Sequence, residues 1–273
     1  MLYRPPAMMK KDAFLITPQS YTQSLSRSEK LVSDKVRAYV KEPSEDNVHD
    51  LRTSIRRLLT TASVLPKTIR RQREFKRYLE SYAKLLRLNA KVRDVDIILA
   101  KLPYHGDDPN FSIIATQLKE SRESSLKRAK RFASSIKGKK DFSVEPRDLS
   151  SPLIQKRFRK TTSSLTKTLK THLRIVVREP QNLDELHKLR EDSRSLRFTL
   201  EMDDSPETSK LLSVLEKWQD VLGEIRDSDI FISRVEDGKF SSKLKEILEK
   251  ERSGRQESYE RFLEIAKESP SLQ

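Results

Sequence analysis

The chain has no cysteine, only 5 glycines among 273 residues, and 7% aromatics. Without cysteine there is no disulfide framework, no thiolate metal site and no cysteine nucleophile, which is compatible with a reducing cytoplasm. The scarcity of glycine beside abundant Leu, Lys, Arg, Glu and Ser favours helices joined by short connections. No apolar run approaches the roughly 20 residues needed to span a bilayer. The opening "MLYRPPAMMKKDAFLITP" lacks a continuous apolar stretch leading to a small-residue cleavage site. Neither membrane insertion nor a signal peptide is therefore expected. There is also no glycine-rich phosphate loop, no HExxH, and no grouping of His and carboxylates at metal spacing. Asp94/Asp96 and Asp227/Asp229 stand at i, i+2, so on a helix they diverge instead of converging on an ion. The expectation is a protein without catalytic residues, metal or cofactor.

What the chain does have is charge. It carries 56 Lys+Arg against 41 Asp+Glu, a formal charge of +15. Such an excess repels itself and points to an anionic partner: nucleic acid, an acidic surface or another polyanion. Apolar periodicity is helical nearly everywhere, and no alternating strand stands out. Proline and glycine punctuate helices expected at about 20–41, 45–64, 67–102 and 111–136, and again at about 153–178, 182–203, 206–235 and 240–267.

The second four helices read as a copy of the first four. An offset of 137 or 138 puts Pro43 on Pro180, His49 on His187, Leu51 on Leu189, Arg52 on Arg190 and Arg56 on Arg194. An offset of 133 puts "VRDVDII" (92–98) on "IRDSDIF" (225–231) and Lys84 on Lys217. Duplicated helical units pack most simply about a pseudo-two-fold axis, which would turn both copies of each special residue toward one surface.

The charge is sorted by helix face. At 100° per residue, Leu51, Ile55, Leu58, Leu59 and Ala62 make a core stripe. His49, Arg52 and Arg56 lie along its border, and Arg57 points away. In the second copy His187, Arg190, Arg194 and Arg197 border Leu186, Leu189, Leu196 and Leu200. Residues 149–178 hold eight Lys/Arg and no acid, with Lys156, Lys160, Lys167, Lys170, Arg174 and Arg178 on one side. Lys30, Arg37 and Lys41 make the matching stripe. By contrast, residues 241–268 interleave seven basic and seven acidic residues, as on a solvated helix. Arginine in such a set suits phosphate, because its planar fork binds oxygens bidentately. His49 and His187 sit near helix starts, where the helix dipole disfavours a charged imidazole, although a bound anion would favour protonation. In "RD" at Arg93–Asp94 and Arg226–Asp227, either Asp could serve to hold basic side chains in place. His105 and His172 have no counterpart and read as surface residues.

The segments "VHDLRTSIRRL" with "LNAKVRDVDII", and "LHKLREDSRSLRFTLE" with "WQDVLGEIRDSDI", resemble the CHAD family, the conserved histidine α-helical domain. The resemblance spans about residues 20–267. It departs from the family pattern at Asn89 in place of glycine, at Leu59 where a further Arg is common, and at Ser195 opposite Arg57. It implies an all-α fold of two four-helix bundles related by pseudo-two-fold symmetry, with a basic surface or central pore that binds inorganic polyphosphate without turning it over. The expected organisation is a poorly ordered leader (1–19), a first repeat (20–140), a linker (141–152) and a second repeat (153–268). The expected binding residues are Lys30, Arg37, His49, Arg52, Arg56, Lys84 and Arg93 in the first repeat. In the second they are Lys167, Arg174, His187, Arg190, Arg194, Arg197, Lys217 and Arg226. A cytoplasmic location associated with polyphosphate granules follows from the same resemblance. Nucleic-acid binding is the first competitor, weakened because no aromatics interleave with the basic stripes. A polyphosphate-processing enzyme and a scaffold for an acidic protein partner are the others.

Overall fold

The computed structural model describes residues 16–105, 109–138, 142, 144–203, 205–237, 244–269 and 272. Among them there is no strand. The α-helices are α1 (Pro18–Lys41), α2 (Glu45–Ser63), α3 (Lys67–Arg70), α4 (Arg73–Leu88), α5 (Ala90–Lys101), α6 (Pro109–Ile136), α7 (Ser151–Arg178), α8 (Leu183–Leu200), α9 (Pro206–Asp237) and α10 (Leu244–Lys267). The all-α expectation holds. The single helix expected over 67–102 is instead three: α3 ends at Arg70, and α4 gives way to α5 at Asn89. Most of the 1–19 leader lies outside the described residues, but Ile16 is fully buried and α1 opens at Pro18.

The chain forms two compact units. The first comprises Thr22–Glu145 with Ser233–Phe240. The second comprises Pro146–Ile232 and Ser241–Gln273, with the opening segment through Tyr21.

The two motif helices start by the same device. Ser44 caps α2 by accepting from the Asn47 amide (3.3 Å), and Asn182 caps α8 by accepting from the Glu185 amide (3.2 Å). Each cap satisfies one of the amides that a helix start leaves without an internal partner. Glu45 and Asp46, and likewise Asp184 and Glu185, put negative charge at the positive end of the dipole. The leucine stripes then go inward: Leu51, Ile55 and Leu58 in α2, and Leu189 and Leu196 in α8, are completely buried.

In the first unit α1 packs on α2 through Ser28 and Thr61 (3.4 Å) and through the Lys35–Asp50 ion pair (2.6 Å). Arg57, expected to point away, is half-buried, because it lies one turn before Thr61 on the face that α1 covers. The break between α4 and α5 is built around Asn89, which is fully buried. Its Nδ2 donates to the Leu85 carbonyl (3.1 Å), and its Oδ1 accepts from the Tyr39 hydroxyl (2.8 Å). Burial pushes the Tyr39 hydroxyl up to about 12, against the opposing pull of the Asn89 hydrogen bond. In the second unit α9 runs unbroken through Gly223, so no glycine turn exists there. A methyl at Gly223 would meet only Arg190 Nη2, at an ordinary 4.0 Å.

In each unit a buried aspartate is paired with an arginine. Asp96 accepts from Arg122 Nε (2.5 Å) and Asp229 accepts from Arg255 Nε (2.5 Å). Both members of the second pair lie 133 residues after those of the first. Burial raises both carboxyls above the usual carboxylate range, outweighing the arginine hydrogen bonds. The pairs tie α5 to α6 and α9 to α10, and Arg122 also donates to the Pro43 carbonyl (3.0 Å) just before α2.

Candidate functional site

In the second unit the structure brings His187, Arg190 and Arg194 of α8 together with Arg226 of α9. Arg190 is the centre of the group. Burial, followed by the nearby Arg194 guanidinium, pushes its pKa down to about 10, although Asp227 and Glu191 pull the other way. A guanidinium this disfavoured is rare, because its ordinary pKa keeps it charged under all physiological conditions. Its Nε is buried with no hydrogen-bond partner among the described residues. His187 is exposed by surface area, yet its ring is crowded enough that burial lowers its pKa. Arg226 adds to this, as do Arg190 and Arg194, against Glu191. Arg194 is held by Glu191 of its own helix (2.9 Å). The cluster is thus a knot of like charges only partly compensated by Glu191 and Asp227, and a bound anion would relieve it.

Arg197 is engaged elsewhere. It donates to Glu201 (3.0 Å) and Gln219 (3.1 Å) and lies 3.5 Å from Glu216. Lys217 is exposed on α9, but nine residues before Arg226 it faces the opposite side of the helix. On α7, Lys167 and Arg174 are exposed along the outer stripe. His172, expected at the surface, is mostly covered. Its Nδ1 lies 2.8 Å from Asp192 and its Nε2 3.8 Å from Glu185, so it joins α7 to α8.

The first unit carries the matching set in a different condition. Arg52 Nη1 donates to the Leu86 carbonyl (2.9 Å), one of the last carbonyls of α4 that the break at Asn89 leaves without a helical partner. Arg52 therefore caps α4 as well as lining the border of α2. Arg93 of α5 reaches Glu45 at the start of α2 (2.8 Å), one turn before His49. His49 is exposed and Arg56 half-buried on the same side of α2. On α1, Lys30 is exposed, and Arg37 is exposed and ion-paired with Asp34. Lys84 is not drawn to this group. Its ammonium sits 4.5 Å from the centre of the Phe132 ring on α6.

Sequence reading missed the buried Asp96–Arg122 and Asp229–Arg255 pairs. The signal was available, because all four residues share the 133 offset, but Arg255 sits on a helix read as solvated.

A bundle of helices with arginines and a histidine gathered on one motif helix is the class of protein these features define. The CHAD domain family matches residues 30–236, and the chain belongs to that family. Among solved structures, the crystal structure of the CHAD domain from the plant Ricinus communis is similar in fold. Its TM-score is 0.56 at 14% sequence identity, covering 98% of this chain and 91% of that one. No curated protein matches the chain.

Proposed function

We propose that the protein binds inorganic polyphosphate through the His/Arg sets of its two units, without hydrolysing it. The observation that carries this reading is Arg190. It is a desolvated guanidinium with a buried, unpartnered Nε, surrounded by Arg194, Arg226 and His187. Such an arrangement is unfavourable by itself and becomes favourable when an anion with several oxygens enters. A linear chain with about one charge per phosphate needs repeated cationic contacts and no base-reading groups, as supplied here by exposed lysines and half-buried arginines along α1, α2, α7 and α8. The CHAD family is linked to polyphosphate binding, which favours this polymer over nucleic acid. Binding without turnover is part of the proposal. It is supported by the lack, among the described residues, of any group of three or more His, Asp or Glu able to hold a metal ion. No described helix is long and apolar enough to cross a membrane. Association with cytoplasmic polyphosphate granules is the setting proposed.

The test is calorimetric titration of long-chain polyphosphate into the wild-type protein and an Arg190→Ala/Arg194→Ala variant. Affinity should drop at least about tenfold, since each lost charge-assisted bond is worth about 1.5–3 kcal/mol. The melting temperature should hold or rise, because like charges are relieved. Unchanged affinity would refute the site.

A further inference from the structure

A groove where α4 and α5 face α6 in the first unit stands apart from the His/Arg set. It encloses about 360 Å³ and is lined by Lys84, Arg87, Leu88, Lys91, Ser125 and Arg128. Small-molecule pockets of this size are mostly apolar, whereas four of these six residues are cations. Lys84, Arg87, Leu88 and Lys91 recur at i, i+3, i+4 and i+7, so they make one face that continues across the break at Asn89. Ser125 and Arg128 meet them from α6. Among the described residues, none of the four cations is ion-paired to a carboxylate.

The second unit shows what the same framework does with an acid in place. At the 133 offset, Arg87 corresponds to Asp220, Lys91 to Glu224, Ser125 to Ser258 and Arg128 to Arg261. There the Ser258 hydroxyl donates to Glu224 Oε2 (2.8 Å), and Arg261 pairs with the same oxygen. The serine–arginine pair of α10 thus grips a carboxylate offered by α9. In the first unit a lysine stands at the carboxylate's position and an arginine one turn earlier, so the grip is kept while the internal anion is replaced by cations.

We infer that the groove formed by Lys84, Arg87, Lys91, Ser125 and Arg128 binds a compact anion carrying two linked phosphates, whose oxygens take the place that Glu224 takes in the second unit. A single phosphate carries about −1.5 to −2 charges and would leave much of the groove's charge unbalanced; a diphosphate comes closer to matching four cations. Arg87 and Arg128 present forks for bidentate contact, and the lysines add point charges. Lys84 is held at one end of the groove by its place over the Phe132 ring. The inference does not depend on the His/Arg sets of the proposed function, because of the groove's residues only Lys84 was among those expected to bind polyphosphate, and the ligand can be short.

The test is equilibrium dialysis of labelled inorganic pyrophosphate against the full chain at low salt. Lys91→Glu installs the carboxylate of the second unit. It should lower pyrophosphate affinity at least about tenfold, or remove one bound equivalent. The converse Asp220→Arg/Glu224→Lys variant should gain one equivalent. Because Lys91, Asp220 and Glu224 are exposed, both variants should keep the wild-type circular dichroism. Equal binding by wild type and Lys91→Glu would overturn the inference, as would a wild type that takes up no pyrophosphate. A parallel titration with long-chain polyphosphate separates two sources of the diphosphate. A loss that parallels the pyrophosphate loss identifies a stretch of the polymer; unchanged polymer affinity identifies a free small anion.

Discussion

Removing the Arg255 guanidinium should unfold the second unit far more readily than its single hydrogen bond to Asp229 suggests. Asp229 is 8% exposed and Arg255 6% exposed, so truncation to Ala leaves a carboxylate shielded from water, with no hydrogen-bonded counter-charge and only the electrostatic influence of Arg226. Breaking a buried pair from one side costs about 3–5 kcal/mol, whereas removing both charges together costs much less. Asp229→Asn/Arg255→Leu should therefore be more stable than Arg255→Ala, with a coupling of at least about 2 kcal/mol in a double-mutant cycle. The penalty should also depend on pH. Burial already raises the Asp229 pKa, and without Arg255, the largest opposing influence, it rises further. A raised folded-state value means that the single variant is least affected below the ordinary carboxylate range, and that its stability falls as pH rises toward the shifted value. Urea unfolding followed by tryptophan fluorescence reads this directly. Trp218 is the chain's one tryptophan, fully buried in the same unit and packed edge-on against Phe262 (5.2 Å). A loss below about 1 kcal/mol, or additive single and double variants, would refute the argument.

Two further outcomes are expected. Polyphosphate affinity should fall steeply with salt, with a log–log slope near −5 for about six to eight phosphate contacts at roughly 0.7 each; a slope near zero, measured by fluorescence anisotropy, would remove the multi-contact account. Affinity should rise as pH drops toward and below the ordinary imidazole pKa of about 6.5, because the free protein holds His187 below that value and the polyanion favours its protonation. His187→Gln should flatten that profile, and proton uptake measured in buffers of different ionisation enthalpy should disappear with it. Without ligand, the stability that neutral His187 contributes is present above that range and is lost as pH falls through its lowered value.

The all-α fold was legible because leucine spacing is helical along the chain and the two motif helices carry caps; Ser44 and Asn182 stand where a start is needed, and the leucines that follow are buried. The break at Asn89 was not legible, since an asparagine flanked by good helix formers carries no strong stop signal. It is the buried Tyr39–Asn89 contact, 50 residues apart in the chain, that fixes it. Periodicity found the border arginines but could not tell their conditions apart. Arg52 is spent on the end of α4, while Arg190, beside an unbroken α9, stays crowded by like charge. Lys84 and Lys217 matched in sequence and face different surroundings, because what surrounds a helix face is decided by the neighbouring helix.

The central claim is tested most directly by displacing labelled long-chain polyphosphate from the intact protein at physiological ionic strength with unlabelled polyphosphate, duplex DNA, RNA or heparin at matched charge. Polyphosphate should displace the label at much the lowest concentration, and Arg190→Ala/Arg194→Ala should erase most of that advantage. Equal displacement by DNA or RNA, unaltered in the variant, would contradict the account.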